Sequence, residues 1–353
     1  MKSYKKVPNR FFRVRILVTF PPGIEDIVKE EIEEKTGCVA EDNPLHVPGK
    51  LIAQLPESKI SSIMLLRSVD SVIEYLDSFK ISRDRNGLEE IYERMFEIDF
   101  PEDFLKASSF RVTCERKGEH EYTSMDVEKI AGKALIDKYR LKVRLEDFEA
   151  NVFVEIVDDA CFVGLLKEEY LHTRYFVFNH PAAIKPSIAY AMVKLADVGP
   201  GMTVLDPMCG GGTILIETAL AVDGVKIYGF DVSEYFLEGA VLNAEAMGLG
   251  DKIVFKKVDC KRLSKLVDFK VDRIITNPPY GTRPLLKIDP YPLYSQCLTE
   301  MSRVLEKNGR IVIISLKPDY VKEASCKAGL KIVHERTVKH NDFYPKIIVL
   351  TPV

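Results

Sequence analysis

The chemistry legible in this chain is concentrated in Asn277-Pro278-Pro279-Tyr280-Gly281. Two consecutive prolines lack backbone donors and fix φ, which leaves the Asn277 side-chain oxygen and the Pro278 carbonyl as a stiff pair of acceptors. Such a pair can hold an amino group attached to an sp² carbon. The lone pair of such an amine is delocalised into its ring. Accepting both N–H bonds localises that lone pair for attack on an electrophile and stabilises the charge that develops on nitrogen. Tyr280 offers a face on which a planar base can stack, worth about 1 to 3 kcal/mol. Pro-Pro alone reads as a turn after a buried strand. With Asn before it and Tyr-Gly after it, the stretch reads as a site whose candidate catalytic residues are Asn277, Pro278 and Tyr280.

A second constellation lies upstream. A short apolar strand over 203–205 ends at Asp206 and runs through Pro207-Met208-Cys209-Gly210-Gly211-Gly212-Thr213 into an apolar helix. Strand, glycine-rich turn and helix in that order bring backbone close to a nucleotide-like ligand at a strand's carboxyl end. A Cβ would block the approach. The run is neither a Gly-Lys-Ser/Thr phosphate loop nor a spaced Gly-x-Gly-x-x-Gly, which weakens ATP and NAD as ligands. A strand over 225–230 ends in Asp231, about twenty residues beyond the glycines, where a carboxylate can accept from both hydroxyls of a ribose. A third over 253–258 ends in Asp259, placed for an adenine amine. One such aspartate is usually a helix cap or a surface charge; three around one glycine turn read as a nucleoside site.

Together "DPMCGGGT", Asp231, Asp259 and "NPPYG" resemble the Rossmann-like S-adenosylmethionine methyltransferases that act on exocyclic amines, over residues 180–353. The resemblance implies that Pro181, Ala182, Asp206, Met208, Cys209, Gly210, Gly211, Gly212, Thr213, Asp231, Val232, Asp259, Cys260 and Asn277 hold S-adenosylmethionine. His180-Pro181-Ala182 resembles a stretch that closes over the cofactor in that class. No metal is implied, because a sulfonium methyl needs no activating base and orientation carries most of the catalysis. Related sequences often read Gly-Ser-Gly where this chain has Gly210-Gly211-Gly212, which removes one hydroxyl contact and leaves the turn intact. The fold class expected is α/β: a Rossmann-like methyltransferase domain with a mostly parallel seven-stranded sheet, preceded by an α+β ferredoxin-like and THUMP region. A buried strand over 310–316 and a terminal antiparallel pair, 330–338 with 346–351, complete the expected sheet.

The elements ahead of this domain alternate strands and helices without a phosphate loop. Residues 11–20 are strand-like, Pro21-Pro22-Gly23 turns, and Ile24, Ile27, Val28 and Ile32 recur at helical spacing until Gly37. From Ser109, "SFRVTCERKGEHEYTSMDVEKIAGKALID" resembles the THUMP module of RNA-modifying enzymes, with Ser124 expected to cap a helix and strands following at 151–157 and 161–166. The expected domains are 1–69 (ferredoxin-like), 70–166 (THUMP), a linker at 167–185, and 186–353 (methyltransferase), with Pro186 in the first turn of its opening helix. With the THUMP-like half and the "HPAAIKP" connector, the chain is similar to the tRNA guanine-N2 methyltransferases, those acting on position 6 of the acceptor stem in particular. Relatives acting on guanosine 10 typically carry Asp where Asn277 stands. The resemblance implies tRNA as partner and N2-methylguanosine as product, with Lys5, Lys6, Arg10, Arg174 and Arg283 expected on the RNA. A second basic group gathers at Lys138, Arg140, Lys142 and Arg144.

Composition sets the outer bounds. At 353 residues, 46% hydrophobic and 29% charged, the chain is expected to fold as several domains, and a net charge of −3 places any nucleic-acid affinity in local patches. No run reaches the roughly 18 apolar residues of a membrane span. Arg13 and Arg15 interrupt the apolar run near the start, so a signal peptide is not expected and the cytoplasm is the expected location. Seven cysteines without a C-x-x-C pair indicate neither a disulfide framework nor a zinc site, and a monomer is expected. Because the Asn-Pro-Pro-Tyr chemistry suits any amine on an sp² carbon, guanosine 10, ribosomal RNA, a DNA adenine and a protein glutamine are alternative substrates. A THUMP-like half argues against the last two. A non-catalytic RNA-binding protein is the reading from a different class.

Overall fold

Among the described residues, the strand-forming segments fall into two sets, each of which pairs within itself. The computed structural model describes residues 13–167, 174, 176–280 and 289–353, and these divide into two compact units, with the segment Pro21–Ile27 grouped with the second. Lys5, Lys6, Arg10 and Arg283 lie outside the described residues.

The first set comprises β1 (Arg13–Thr19), β2 (Ala40–Asp42), β3 (Lys50–Pro56), β4 (Ser71–Lys80), β5 (Ser109–Lys117), β6 (Lys142–Val143), β7 (Ala150–Val157) and β8 (Ala160–Leu166). They form one sheet in the order β2-β3-β1-β4-β8-β7-β5-β6. β1 and β4 pair antiparallel, with Val18 opposite Val72, so the segments read from sequence as ferredoxin-like and THUMP domains share a single sheet. Of the stripe Ile24, Ile27, Val28 and Ile32, the last three lie on α1 (Glu25–Thr36) and Ile24 immediately precedes it; all four are buried, as their spacing requires. Helices α2 (Asn86–Glu97), α3 (Glu102–Lys106) and α4 (Ser124–Tyr139) add Ile91, Met95, Phe104, Val127, Ala131 and Leu135 to the core around β5 and β7. Helix α4 is capped by Thr123, not Ser124. The Thr123 hydroxyl accepts the Asp126 N–H while the Asp126 carboxylate accepts the Thr123 N–H at 2.8 Å, a reciprocal capping box that shifts the helix start by one residue.

The second unit opens with α5 (Pro186–Ala196) and continues β9 (Thr203–Asp206), α6 (Thr213–Ala221), β10 (Lys226–Asp231), α7 (Glu234–Ala246), β11 (Ile253–Lys257), α8 (Leu263–Leu266), β12 (Val271–Thr276), α9 (Tyr291–Val304), β13 (Leu305–Ser315), α10 (Pro318–Lys327), β14 (Leu330–Thr337) and β15 (Lys346–Pro352). These give a seven-stranded sheet in the order β11-β10-β9-β12-β13-β15-β14. β9 to β13 are parallel to one another and β15 runs antiparallel to both β13 and β14. The central strands are apolar on both faces: Val204 and Leu205, Ile274 and Ile275, and Ile311 through Ile314 are all buried, as a sheet covered on two sides demands. Among the described residues, no helix is long and apolar enough to cross a membrane.

The continuity of the first sheet rests on a close approach at Gly164. It lies opposite Tyr75, at the irregular register between β8 and β4, and a Cβ there would sit 2.4 Å from the Glu74 carbonyl oxygen. Backbone cannot yield as a flexible side chain would. Gly164→Ala is therefore expected to lower the stability of this unit by about 3 kcal/mol, measured as a fall in the urea midpoint.

Candidate active site

Strand order determines where this unit can hold a ligand. From β9 the chain adds β10 and β11 on one side, then crosses to β12 and β13 on the other, so the loops leaving β9 and β12 diverge and open a crevice at the carboxyl ends. Asp206 ends β9 and Asn277 follows β12. Val204 lies opposite Arg273 and Leu205 opposite Ile274, which makes the glycine turn and the Asn-Pro-Pro-Tyr corner neighbours.

The turn needs its glycines. Gly210 (φ 52°) and Gly212 (φ 82°) adopt left-handed backbone conformations, and a Cβ on Gly211 would lie 3.1 Å from the His180 Cβ. Three backbone donors tie the segment to its surroundings: Met208 N–H to Asp206 Oδ1 (3.1 Å), Cys209 N–H to the Phe230 carbonyl (2.8 Å) and Gly210 N–H to Asp231 Oδ2 (3.1 Å). Asp231 Oδ1 also accepts the Ser233 N–H at 2.9 Å and the residue stays partly exposed. Asp206 is 2% exposed. Burial pushes its carboxyl up to about 7; the Asp231 charge adds to this, while the Thr276 hydroxyl and the Met208 N–H oppose it. Asp259 caps the turn after β11, its Oδ1 accepting the Lys261 N–H at 3.0 Å. Val232 is exposed at the rim, Met208 packs partly against the core, and Cys209 and Cys260 are buried in it.

The connector ahead of α5 lies across this turn. Asn243, buried within α7, grips Phe178 from both sides, accepting its N–H at 2.8 Å and donating to its carbonyl at 3.0 Å, and donates again to the Gly211 carbonyl at 2.9 Å. The Phe178 ring fits because Gly239 has no side chain: a Cβ there would come within 2.3 Å of it. The His180 ring packs edge-on against Phe236 at 4.2 Å, and His180 Nδ1 accepts the Ala182 N–H at 3.1 Å. A cavity of about 180 Å³ beneath the connector is lined by Phe176, Phe178, His180, Gly211, Thr213 and Asn243. A larger one of about 440 Å³, at the amino ends of β10 and β11, touches none of the candidate residues.

At the corner, Asn277 Nδ2 donates to the Ala182 carbonyl at 3.1 Å and Asn277 Oδ1 accepts the Tyr280 hydroxyl at 2.6 Å. The asparagine oxygen read from sequence as an open acceptor thus already carries one hydrogen bond, and Tyr280 contributes its hydroxyl as well as its ring. Burial raises the Tyr280 phenol above its ordinary range, so it remains a donor. Pro181 and Ala182 are exposed, and Pro278 is buried.

The structure brings together Ala182, Asp206, Met208 to Thr213, Asp231 and Asn277, and pairs Arg174 with a buried carboxylate. The Arg174 Nε lies 2.9 Å from Glu217 Oε1, with 13% and 0% of the two side chains exposed. That ion pair satisfies Glu217, because a buried carboxylate requires a partner. In the second basic group, Lys138 is turned onto the Ile98 carbonyl at 2.8 Å, while Arg140, Lys142 and Arg144 are exposed. Asn243, Gly239 and Phe236 were missed by sequence reasoning. The signal was present in α7, where an asparagine occupies the face carrying Leu237, Ala240 and Ala244. Among the described residues, no group of three or more His, Cys, Asp or Glu side chains is placed to hold a metal ion.

Comparison with known proteins assigns both units. Residues 85–166 match the THUMP domain and residues 173–346 match the RMKL-like methyltransferase domain. Over 95% of its length the chain is 34% identical to the tRNA (guanine(6)-N2)-methyltransferase of Archaeoglobus fulgidus, covering 92% of that protein. The chain belongs to the THUMP-containing guanine-N2 methyltransferase family. It is also 31% identical to the Thermus thermophilus tRNA (guanine(6)-N2)-methyltransferase, over 94% of this chain and 98% of that one. The crystal structure of TrmN from Thermus thermophilus superposes with a TM-score of 0.75 at 31% identity, covering 96% of this methyltransferase and all of that chain.

Two expectations follow from the site. Asn243→Ala strands the Phe178 amide groups and the Gly211 carbonyl, so it is expected to cost about 2 to 4 kcal/mol and to make the connector cleavable in limited proteolysis. Because the Asp206 pKa is raised in the folded state, its contribution to stability is fully present below its unfolded value near 3.8 and is lost as pH rises through about 7. Asp206→Asn removes this dependence. Unfolding free energies from urea melts of the ligand-free wild type, relative to Asp206→Asn, are expected to decline between pH 4.5 and 8 by roughly 3 to 4 kcal/mol in total.

Proposed function

We propose that this methyltransferase transfers a methyl group from S-adenosylmethionine to the exocyclic N2 amine of a guanosine in tRNA, at position 6 of the acceptor stem, to give N2-methylguanosine. The observation that carries the reading is the Asn277 carboxamide standing with Pro278 at the carboxyl end of β12, next to the glycine turn that leaves β9.

The residues present suit the cofactor. Gly212 starts α6 in a left-handed conformation without a capping side chain, so the helix's first N–H groups suit a carboxylate. The Asp206 carboxylate behind the turn matches an ammonium, Asp231 is placed for ribose hydroxyls and Asp259 for the adenine edge. Pro181, Ala182, Val232 and Cys260 complete the proposed binding set. When bound, the cofactor supplies a sulfonium methyl that needs no base before transfer. The chain's own residues then have three tasks. Asn277 Oδ1 and the Pro278 carbonyl accept the amine's two N–H bonds and orient its lone pair. Tyr280 stacks on the base. The connector over 178–182 shields the turn from water.

In an A-form stem the guanine amine faces the shallow groove, out of line with a donor held at the sheet edge, so the proposal includes flipping the base from the helix. The THUMP-bearing unit would grip the RNA elsewhere, with Arg140, Lys142 and Arg144 available for phosphates. Lys5, Lys6, Arg10, Arg174 and Arg283 remain proposed contacts.

Radiolabelled methyl transfer to tRNA transcripts, with the modified nucleoside mapped by mass spectrometry of nuclease fragments, tests the proposal. Label in N2-methylguanosine at position 6 is expected. Label at guanosine 10, in ribosomal RNA only, or nowhere would reject it. Asn277→Ala is expected to lose turnover by about 10² to 10³ or more while binding S-adenosylmethionine normally in calorimetry; near-normal turnover would reject the catalytic assignment.

A further inference from the structure

We propose that the Ala182 carbonyl and the Tyr280 hydroxyl are positioning groups that determine which end of the Asn277 carboxamide faces the substrate amine. The inference rests on the reaction proposed above and goes beyond it in naming what orients the acceptor.

A carboxamide has nearly the same shape at both ends, yet only its oxygen end can accept an N–H bond. Turned the other way, Asn277 would point a donor at the amine and repel it. The surrounding contacts remove this ambiguity. A carbonyl oxygen can only accept, so the Ala182 carbonyl, 3.1 Å away, admits only Nδ2. The Tyr280 hydroxyl could donate or accept, but with Nδ2 engaged it is left facing Oδ1, to which it donates at 2.6 Å. An amide oxygen has two lone pairs, so Tyr280 occupies one and leaves the other for the substrate.

The Ala182 carbonyl is itself held in place. The Ala182 N–H donates to His180 Nδ1 and the Ala183 N–H donates to the His180 carbonyl at 3.0 Å, which closes a turn. Upstream, Asn243 pins Phe178 and, through a second hydrogen on the same nitrogen, the Gly211 carbonyl. A chain of hydrogen bonds and short backbone links therefore runs from the glycine turn through Asn243, Phe178, His180 and Ala182 to Asn277. It follows that aspartate is not equivalent to asparagine at position 277 in this chain. One carboxylate oxygen would face the Ala182 carbonyl with no hydrogen between them.

Tyr280→Phe keeps the stacking face and deletes the hydroxyl, whereas Asn277→Asp keeps the shape and deletes the Nδ2 donor. Initial rates of methyl transfer to tRNA are measured with RNA affinity by filter binding and S-adenosylmethionine affinity by calorimetry. Tyr280→Phe is expected to lower kcat about tenfold, the loss of one hydrogen bond to an orienting group, with KM and both affinities within about twofold. Asn277→Asp is expected to lose about 100-fold or more, since a donor is replaced by a charge facing a carbonyl. Wild-type kcat in Tyr280→Phe would mean that the ring alone matters, and a loss confined to KM would mean a binding role; either overturns the proposal, as does near-normal turnover in Asn277→Asp. A second readout does not depend on activity. The ¹⁵N side-chain amide signal of Asn277, assigned by its loss in Asn277→Asp, is expected to exchange with solvent more slowly in the wild type than in Tyr280→Phe, and equal rates would overturn the positioning role. A wild type that methylates no tRNA would refute the proposed reaction, while the exchange comparison would still decide whether the amide is clamped.

Discussion

The reversal of strand order between β9 and β12 is the constraint on which the rest of the methyltransferase unit depends. Parallel strands joined by helices deliver every carboxyl end to one edge, and the reversal leaves a crevice in that edge because the flanking connections leave in opposite directions. Asp206, Asp231, Asp259 and Asn277 lie at four such ends. No local feature of any one strand makes a site. The site arises because β9 and β12, distant in sequence, are in register against each other.

A second level of organisation is polar. The glycine turn and the corner are both loops, and loops hold geometry only when their backbone groups are satisfied. Here a connector outside the sheet does that work, with Asn243 supplying three hydrogen bonds from inside a helix. A buried asparagine at that position is costly unless every polar atom finds a partner, and the arrangement therefore has few alternatives. Asp206 shows the opposite balance. Its burial disfavours the ionised form, which leaves a carboxylate that would gain from an ammonium placed beside it. Stability given up in the ligand-free protein is in this way available to binding.

The first unit follows another logic. Its strands form one sheet, and the β4–β8 contact that joins the halves depends on Gly164. The cations on it divide into those committed internally, such as Lys138, and those left at the surface, such as Lys142 and Arg144. A net charge near neutrality overall is compatible with nucleic-acid contact when the surface cations are grouped in this manner.

Much of this was determined by sequence alone. The carboxyl-end aspartates, the glycine turn, the Asn-Pro-Pro-Tyr corner and the terminal antiparallel pair are local patterns in which residue type dictates backbone, and β9 covers the expected 203–205 and extends one residue further, through Asp206. The resemblance carried by those motifs was sufficient to name the family. Tertiary structure decided what depends on pairing across long separations. Arg174 reads as a surface cation until Glu217 is seen beside it. Asn243 reads only as a polar residue on an apolar helix face until Phe178 is brought to it. Tyr280 reads as a stacking ring until its hydroxyl meets Asn277. In each case a polar group's role depends on which partner the fold supplies. A hydrogen bond between residues 65 or 95 positions apart leaves no periodic trace in the chain.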